Sequence, residues 1–274
     1  MNHDVSFWIE LIFVGLSTAA LGSFANVLIY RLPRMLLREE YDADNKGTFN
    51  IAVPTSFCPQ CKHSIRWWHN IPLISFIVLR GQCAYCHQPI PSRYFWVELG
   101  TVVLALLSVW MFGLSWQALS SFAFLYVLWV TSWIDALNYL LLDVFNGILL
   151  VMGLITTMLF SSDVEAALIQ AVLGMVFGYA ILWIPYIAYL KWRGMEGLGL
   201  GDCKLLAAIG CWQGIAVVPN VLLFACVLAL VFGASYARLH GHAVRSLKIP
   251  FGPFISAGAL AQMLMMHGHF KLPI

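Results

Sequence analysis

The sequence predicts an all-α protein that crosses a membrane several times. Of its 274 residues, 61% are hydrophobic and only 10% are charged, and the mean hydropathy is +0.82. A water-soluble domain needs a far more charged surface than this. Apolar runs about as long as a bilayer is thick recur along the chain, so we expect about eight transmembrane helices.

Eight apolar runs are the candidates for these helices. The sixth and the eighth are the weakest, because they are short and contain glycine. The runs are residues 7–30, 96–114, 117–135, 144–161, 165–190, 203–217, 218–237 and 251–268.

Lysine and arginine are distributed unequally between the two sides of these runs. Fourteen of the 15 fall on or at the edge of alternate connections, and only Lys271 falls opposite. Loops rich in Lys and Arg remain in the cytosol, so both termini are predicted to lie outside it. The first run has no preceding positive charge and no A-x-A cleavage site, so we expect it to be retained as a helix.

One long connection interrupts the hydrophobic pattern. The predicted organisation is therefore a first helix at 1–30, a cytosolic loop at 31–95 and a seven-helix membrane domain at 96–274. The loop has little apolar material of its own, so a bound metal would supply much of its stability.

Two C-x-x-C pairs lie in this loop, Cys58 with Cys61 and Cys83 with Cys86. Paired cysteines of this kind converge on one tetrahedral ion. In a reducing cytosol disulfides are the poorer explanation, and four thiolates favour zinc over harder cations. A closed four-thiolate site is structural. A redox-active pair or plain buried thiols are the alternatives.

Two aspartates lie at the ends of apolar runs, where a charge is costly to keep. Asp135 ends the third run and Asp202 opens the sixth. Each alone could cap a helix or mark the membrane interface. Side by side they could share one proton, so that the ionised carboxylate activates a water and the protonated one stabilises the oxyanion.

Small and acidic residues surround this pair in the sequence. Gly197, Gly199 and Gly201 precede Asp202 and leave room for an extended substrate backbone. Asp143 precedes the fourth run, and we expect it to cap that helix.

Several short motifs occur in order along the chain. They are GSFANV at 22–27, RLP at 31–33, NIPL at 70–73 between the cysteine pairs, ID at 134–135, GLGLGDCKLL at 197–206 and FGP at 251–253. Together they resemble the type IV prepilin peptidases, which are leader peptidases and N-methyltransferases of the GxGD aspartyl protease type.

This resemblance implies an activity. It implies that Asp135 and Asp202 cleave the short basic leader of prepilins and pseudopilins after Gly, at the cytosolic face of the bacterial inner membrane. It also implies eight spans and a loop that binds zinc. The expected surroundings are membrane lipid, and no nucleic acid is expected as a partner.

The resemblance also implies a second activity, the methylation of the new N-terminal residue with S-adenosylmethionine. The family places this activity with the N-terminal motif and the loop, which indicates Gly22, Ser23 and Asn26 as cofactor-binding residues. Close helix packing through small residues is the alternative interpretation of these three. Glu98, which enters the second run, is a further candidate.

The family pattern is not complete around the first aspartate. Leu137 occupies a place that is often acidic in the family, and Leu142 replaces a proline. Because Asp135 is retained, we expect cleavage to survive. We expect Glu196 to attract a basic leader, and the acidic run at 39–44 is predicted to be a solvated linker.

Two other functions remain open from the residues alone. A broader intramembrane aspartyl protease without methyl transfer would not need the cysteine loop or the motif at 22–33. A proton-coupled transporter could use two intramembrane carboxylates as a relay, but the sequence has no evident inverted repeat.

Overall fold

The computed structural model describes residues 2–41, 50–53, 55–58, 60–195, 197–240 and 248–270. Within these ranges the chain is helical and forms no β-strand, which confirms the all-α prediction. Short 3-10 turns lie at Trp67–Asn70 and Ile215–Val217. The α-helices are α1 (Asn2–Tyr41), α2 (Ile74–Val78), α3 (Arg93–Phe112), α4 (Trp116–Asn138), α5 (Asp143–Phe160), α6 (Val164–Arg193), α7 (Leu200–Gln213), α8 (Val218–His240) and α9 (Gly252–Phe270).

Six of the described helical segments are long and apolar enough to cross a membrane, fewer than the eight predicted. They comprise most of α1, the whole of α3 to α6, and α8 with the turn before it. The two remaining runs are the two that the sequence marks as weakest. In α9 the described side chains cover Gly252–Met266, an apolar stretch of fewer than 18 residues, and α7 has only 14 residues.

The shortness of α7 has a packing reason. Every residue from Leu205 to Cys211 is buried, because α5, α6, α8 and α9 all pack against this helix. A helix that is apolar all round and shorter than a bilayer is typical of a protein core. The helix that carries Asp202 is therefore held by protein on all sides.

The chain forms two compact units, one ending at Phe122 and the other beginning at Ala123, within α4. In the first unit α1 crosses α3 closely at Gly22. A Cβ atom there would lie 2.8 Å from the Cα atom of Glu98. The absent side chain thus allows the two backbones to approach, as small residues do between membrane helices.

In the second unit α6 crosses α7 through glycines. A Cβ atom at Gly178 would lie 2.6 Å from the carbonyl oxygen of Leu206, and one at Gly174 would overlap the carbonyl group of Gly210. The backbones of α6 and α7 are therefore as close as the chain permits. This crossing fixes the position of α7 in the unit.

We predict that Gly178→Ala lowers the thermal unfolding temperature of the purified protein, because overpacking of a tight contact costs about 1–3 kcal/mol. Gly147→Ala in α5 is the matched control, since nothing lies within 4 Å of a Cβ atom there. The control should be neutral or stabilising by up to about 1 kcal/mol. Equal unfolding temperatures for the two variants would contradict the proposed packing.

Candidate active site and metal centre

Asp135 lies in the last turn of α4, with 5% of its surface exposed. Its Oδ2 atom accepts a hydrogen bond of 2.9 Å from the backbone N–H of Gly252, the first residue of α9. The first N–H groups of a helix have no partner within the helix, and they favour a negative charge. A Cβ atom at position 252 would lie 2.8 Å from the same oxygen. Only glycine therefore permits this contact.

Asp202 is the third residue of α7 and is 7% exposed. Its Oδ1 atom has no hydrogen-bond partner among the described residues. The N-cap residue is Gly199, so Asp202 does not cap the helix. Its Oδ2 atom lies 3.2 Å from the place that a Cβ atom of Gly199 would occupy. The carboxylate of Asp202 therefore lies directly beside the backbone of Gly199.

The structure brings the two aspartates together. Asp135 and Asp202 are near enough for their charges to repel each other directly. Leu141 lies between the start of α7, which carries Asp202, and the start of α9, which bonds to Asp135, because Cβ atoms at Gly201 and Gly252 would both contact its side chain, at 2.7 and 3.0 Å. The residues that the sequence singles out around both aspartates thus converge on one place.

The alternate glycines face different neighbours. A Cβ atom at Gly197 would meet the ring of Tyr189 at 2.8 Å, and one at Gly201 would meet Leu141. The space that these two glycines leave is occupied by the chain's own side chains. Their role in substrate binding stays a prediction. Glu196 and the side chains of the acidic run at 39–44 lie outside the described residues.

The prediction that Asp143 caps α5 is wrong. Leu142 is the N-cap residue, and no side chain caps this helix end. Instead both carboxylate oxygens of Asp143 accept hydrogen bonds of 2.7 Å from Nζ of Lys204. This ion pair joins the starts of α5 and α7. The partners are 61 residues apart, so no local pattern could have indicated it.

Tyr139 is a residue of this site that the sequence analysis missed. Its φ of 54° is left-handed, which is unusual for a residue with a side chain. Its backbone N–H donates to the Asp135 carbonyl, and its hydroxyl donates to the carbonyl of Lys248 at 3.2 Å. Tyr139 thus fixes the segment that delivers Gly252 to Asp135.

The four predicted cysteine ligands form one cluster, in which all sulfur atoms lie within 4.8 Å of one another. The two pairs have the same backbone geometry. The carbonyl of Cys58 accepts from the N–H of Lys62, and that of Cys83 accepts from the N–H of His87. Both donors have left-handed φ angles, 60° and 56°. Two equivalent turns thus present two thiols each, an arrangement typical of metal knuckles.

The surroundings shift the pKa values of two of the four thiols in opposite directions. Hydrogen bonds from the backbone of Cys86 and Tyr85 lower the pKa of the Cys83 thiol to about 7. A backbone hydrogen bond at Gln88 lowers the pKa of the Cys86 thiol, but burial and hydrogen bonds with the other three cysteines outweigh it and raise that pKa to about 11. Metal ligation needs deprotonated sulfur, so the lowered pKa of Cys83 supports binding near neutral pH, and Cys86 loses its proton when the metal binds. All four cysteines are free thiols, so the metal-binding prediction and the structure agree.

A cavity of about 350 Å³ lies within the first unit, between α1, α3 and the loop. Ser23, Asn26 and Glu98 line it together with Cys58 and Cys83 of the cluster. The Nδ2 atom of Asn26 donates to the carbonyl of Tyr94 at 3.1 Å. Its buried Oδ1 atom has no partner among the described residues. Such an orphaned acceptor suits a site that binds a ligand with N–H or O–H donors.

Glu98 is one of the residues that line this cavity. Its Oε2 atom accepts a 2.8 Å hydrogen bond from the backbone N–H of Leu73, and its carboxylate interacts with Ser23 and Asn26. The structure therefore brings three of the four residues predicted for methyl transfer to one surface. Gly22 serves the crossing of α1 and α3 beside them.

Comparison with known proteins assigns this chain to a family. Residues 16–112 match the bacterial peptidase A24 N-terminal domain, and residues 122–234 match the type IV leader peptidase family. The chain belongs to the type IV leader peptidase family.

Its relatives are similar over almost their whole length. A prepilin leader peptidase/N-methyltransferase of Pseudomonas aeruginosa is 38% identical over 271 residues, which cover 95% of this chain and 91% of the relative. Proteins of the same name from Stutzerimonas stutzeri and Legionella pneumophila are 40% and 36% identical. Those alignments cover 89% and 93% of this chain and 86% and 91% of the relatives. No solved structure matches the chain significantly.

Proposed function

We propose that this chain is a multi-pass inner-membrane enzyme that removes the leader from prepilins and pseudopilins and then methylates the new N-terminal residue. The main support is the convergence of two buried aspartates, Asp135 and Asp202, in a chain whose relatives carry both activities in their names. The apolar helices agree with the membrane location. Both termini lie outside the cytosol, as the distribution of Lys and Arg predicts.

The contacts of the two aspartates support different roles in cleavage. The helix N-terminus at Gly252 stabilises the negative charge of Asp135. Asp135 therefore acts as the base that takes a proton from the attacking water. Burial and the neighbouring charge of Asp135 favour the protonated form of Asp202, and its Oδ1 atom has no donor among the described residues. Asp202 therefore donates a hydrogen bond to the scissile carbonyl and later protonates the leaving amine.

The other two functions are not favoured. A transporter would not be expected to match leader peptidases over nearly its whole length. A protease without methyl transfer would not be expected to match the A24 N-terminal domain as well as the peptidase domain. Both matches favour the bifunctional enzyme.

We predict that Asp135→Asn and Asp202→Asn each reduce leader cleavage by at least about a thousandfold, because the paired mechanism needs both carboxyls. The measurement is cleavage of a prepilin by the purified protein, followed by mass spectrometry. Asp143→Asn is the matched control. Its carboxylate is 70% exposed and belongs to a surface ion pair, which contributes at most about 1 kcal/mol to stability.

The control variant should therefore retain most of its activity. All three variants should insert into the membrane in wild-type amounts, since asparagine nearly matches aspartate in shape. Near wild-type cleavage by either of the first two variants would show that Asp135 and Asp202 do not act as a pair.

The cavity in the first unit fits S-adenosylmethionine, which would supply the methyl group when bound. Its volume of about 350 Å³ lies within the usual range for small-molecule sites. The carboxylate of Glu98 and the free Oδ1 of Asn26 are acceptors for the ammonium, hydroxyl and amino groups of such a ligand. Tyr30, Phe76 and Phe95 supply apolar surface. Gly22 supports this site by allowing α1 to approach α3.

We predict that Asn26→Ala and Glu98→Gln each weaken S-adenosylmethionine binding about tenfold or more, because each removes an acceptor from a buried contact. Titration calorimetry measures the binding, and the mass of the mature pilin N-terminus measures methylation. Leader cleavage should persist. Ser108→Ala is the control, since Ser108 lies in the same helix as Glu98, does not line the cavity and donates to the carbonyl of Leu104 in its own helix. Unchanged binding in both cavity variants would place the cofactor elsewhere.

The cysteine cluster holds a structural zinc ion, because four thiolates close its coordination shell. We predict that replacing Cys58 and Cys61 with serine removes the metal and makes the loop susceptible to proteolysis. Elemental analysis and limited trypsin digestion give the two readouts. Cys226→Ser serves as control, because that cysteine is exposed on α8 outside the cluster. Wild-type protein that contains no zinc when prepared without chelators would refute the assignment.

A further inference from the structure

The loop of the first unit carries an exposed apolar face that the two activities do not explain. The short helix α2 exposes Ile77 and Val78, with 64% and 72% of their surfaces accessible, and Ile74 is also exposed. Trp67, shortly before this helix, is 75% exposed. Together these four residues form what we term the apolar face of the loop.

The opposite side of α2 is firmly packed. Ser75 is buried, and its hydroxyl donates to the carbonyl of Trp68 at 3.0 Å. The ring of Phe76 packs against Phe95 of α3, with 5.4 Å between the ring centres. A Cβ atom at Gly81 would lie 3.1 Å from the Phe76 ring. The helix is therefore fixed in one orientation, and its apolar face points consistently outward.

A hydrogen bond between the loop and α3 indicates how deep the apolar face lies in the membrane. Leu73, directly before α2, donates its backbone N–H to Glu98. Glu98 is the sixth residue of α3, a helix long and apolar enough to span the membrane. At 1.5 Å per residue, Glu98 lies roughly 8 Å along the axis from the start of α3. The start of α2 is thus level with the first turns of a membrane span, near the interface between headgroups and acyl chains.

The residues around the face suit that position. Trp96, in the first turn of α3, is exposed at the same level. Exposed arginines, Arg66 and Arg80, flank the apolar segment on both sides in sequence. Tryptophan is enriched at membrane interfaces, and basic residues beside an apolar helix face attract anionic headgroups.

We propose that the apolar face of the loop is an in-plane membrane anchor that inserts into an anionic phospholipid leaflet at the start of α3. The bilayer completes the burial of Trp67, Ile74, Ile77 and Val78, while Arg66 and Arg80 bind the lipid phosphates. Because Leu73 and Phe76 also connect α2 to Glu98 and to the cavity wall, this anchor holds the cavity at the membrane surface.

Photo-crosslinking from the apolar face of the loop identifies the molecule that contacts it. The full chain carrying Ile77→p-benzoylphenylalanine is reconstituted into nanodiscs that contain phosphatidylglycerol, irradiated and analysed by mass spectrometry. We expect phospholipid adducts at this position. Ser64→p-benzoylphenylalanine is the control, since Ser64 is an exposed polar residue of the first cysteine turn, and it should yield few.

Adducts to a second copy of the chain, or to a prepilin added to the nanodiscs, would overturn the proposal, as would the lack of any adduct at Ile77. The reconstituted variant should still cleave a prepilin, which shows that it is folded. The predicted contact of Arg66 and Arg80 with lipid phosphates is tested separately. Each arginine near an anionic leaflet contributes about fivefold to membrane affinity. Arg66→Gln with Arg80→Gln should therefore lower the yield of lipid adducts in phosphatidylglycerol, and equal yields would overturn the predicted contact.

Discussion

The hydrogen bond between the N–H of Gly252 and the carboxylate of Asp135 is the interaction around which the second unit is organised. A carboxylate this deeply buried among apolar helices is costly unless a donor compensates for lost water. The helix terminus of α9 supplies that donor without adding a side chain. The left-handed Tyr139, the contact of Leu141 with Gly252 and the bond from Tyr139 to Lys248 all serve to bring α9 to this place.

In the first unit, different interactions hold the loop in place against the membrane helix α3. Its loop buries few apolar residues, and order comes from two equivalent cysteine turns and from the bond between Leu73 and Glu98. Glu98 consequently has two tasks, since it holds the loop against α3 and lines the cavity. A residue that joins the loop to a membrane helix couples the metal centre to the cavity through only a few contacts.

Much of this architecture could be predicted from the sequence, because apolar runs and cysteine spacing depend on local composition. The pairing of Asp135 with Asp202 could also be predicted, since both residues lie at the ends of apolar runs within recognisable motifs. The ion pair of Asp143 with Lys204 and the bond of Tyr139 to Lys248 were not, because they join segments 61 and 109 residues apart. The count of eight spans stays a prediction, because six of the described helical segments are long and apolar enough to cross a membrane. Hydropathy does not distinguish a helix surrounded by lipid from one, such as α7, surrounded by other helices.

The length of α7 also bears on how the protein relates to its bilayer. Fourteen residues extend about 21 Å, whereas the hydrocarbon layer is about 30 Å thick. The position of Asp202 is therefore set by the helices packed around α7, chiefly α5 and α6. When α5 and α6 tilt to match a thicker or thinner bilayer, Asp202 moves with them. The length of the lipid acyl chains therefore affects how far below the membrane surface a substrate peptide bond must lie to reach Asp202.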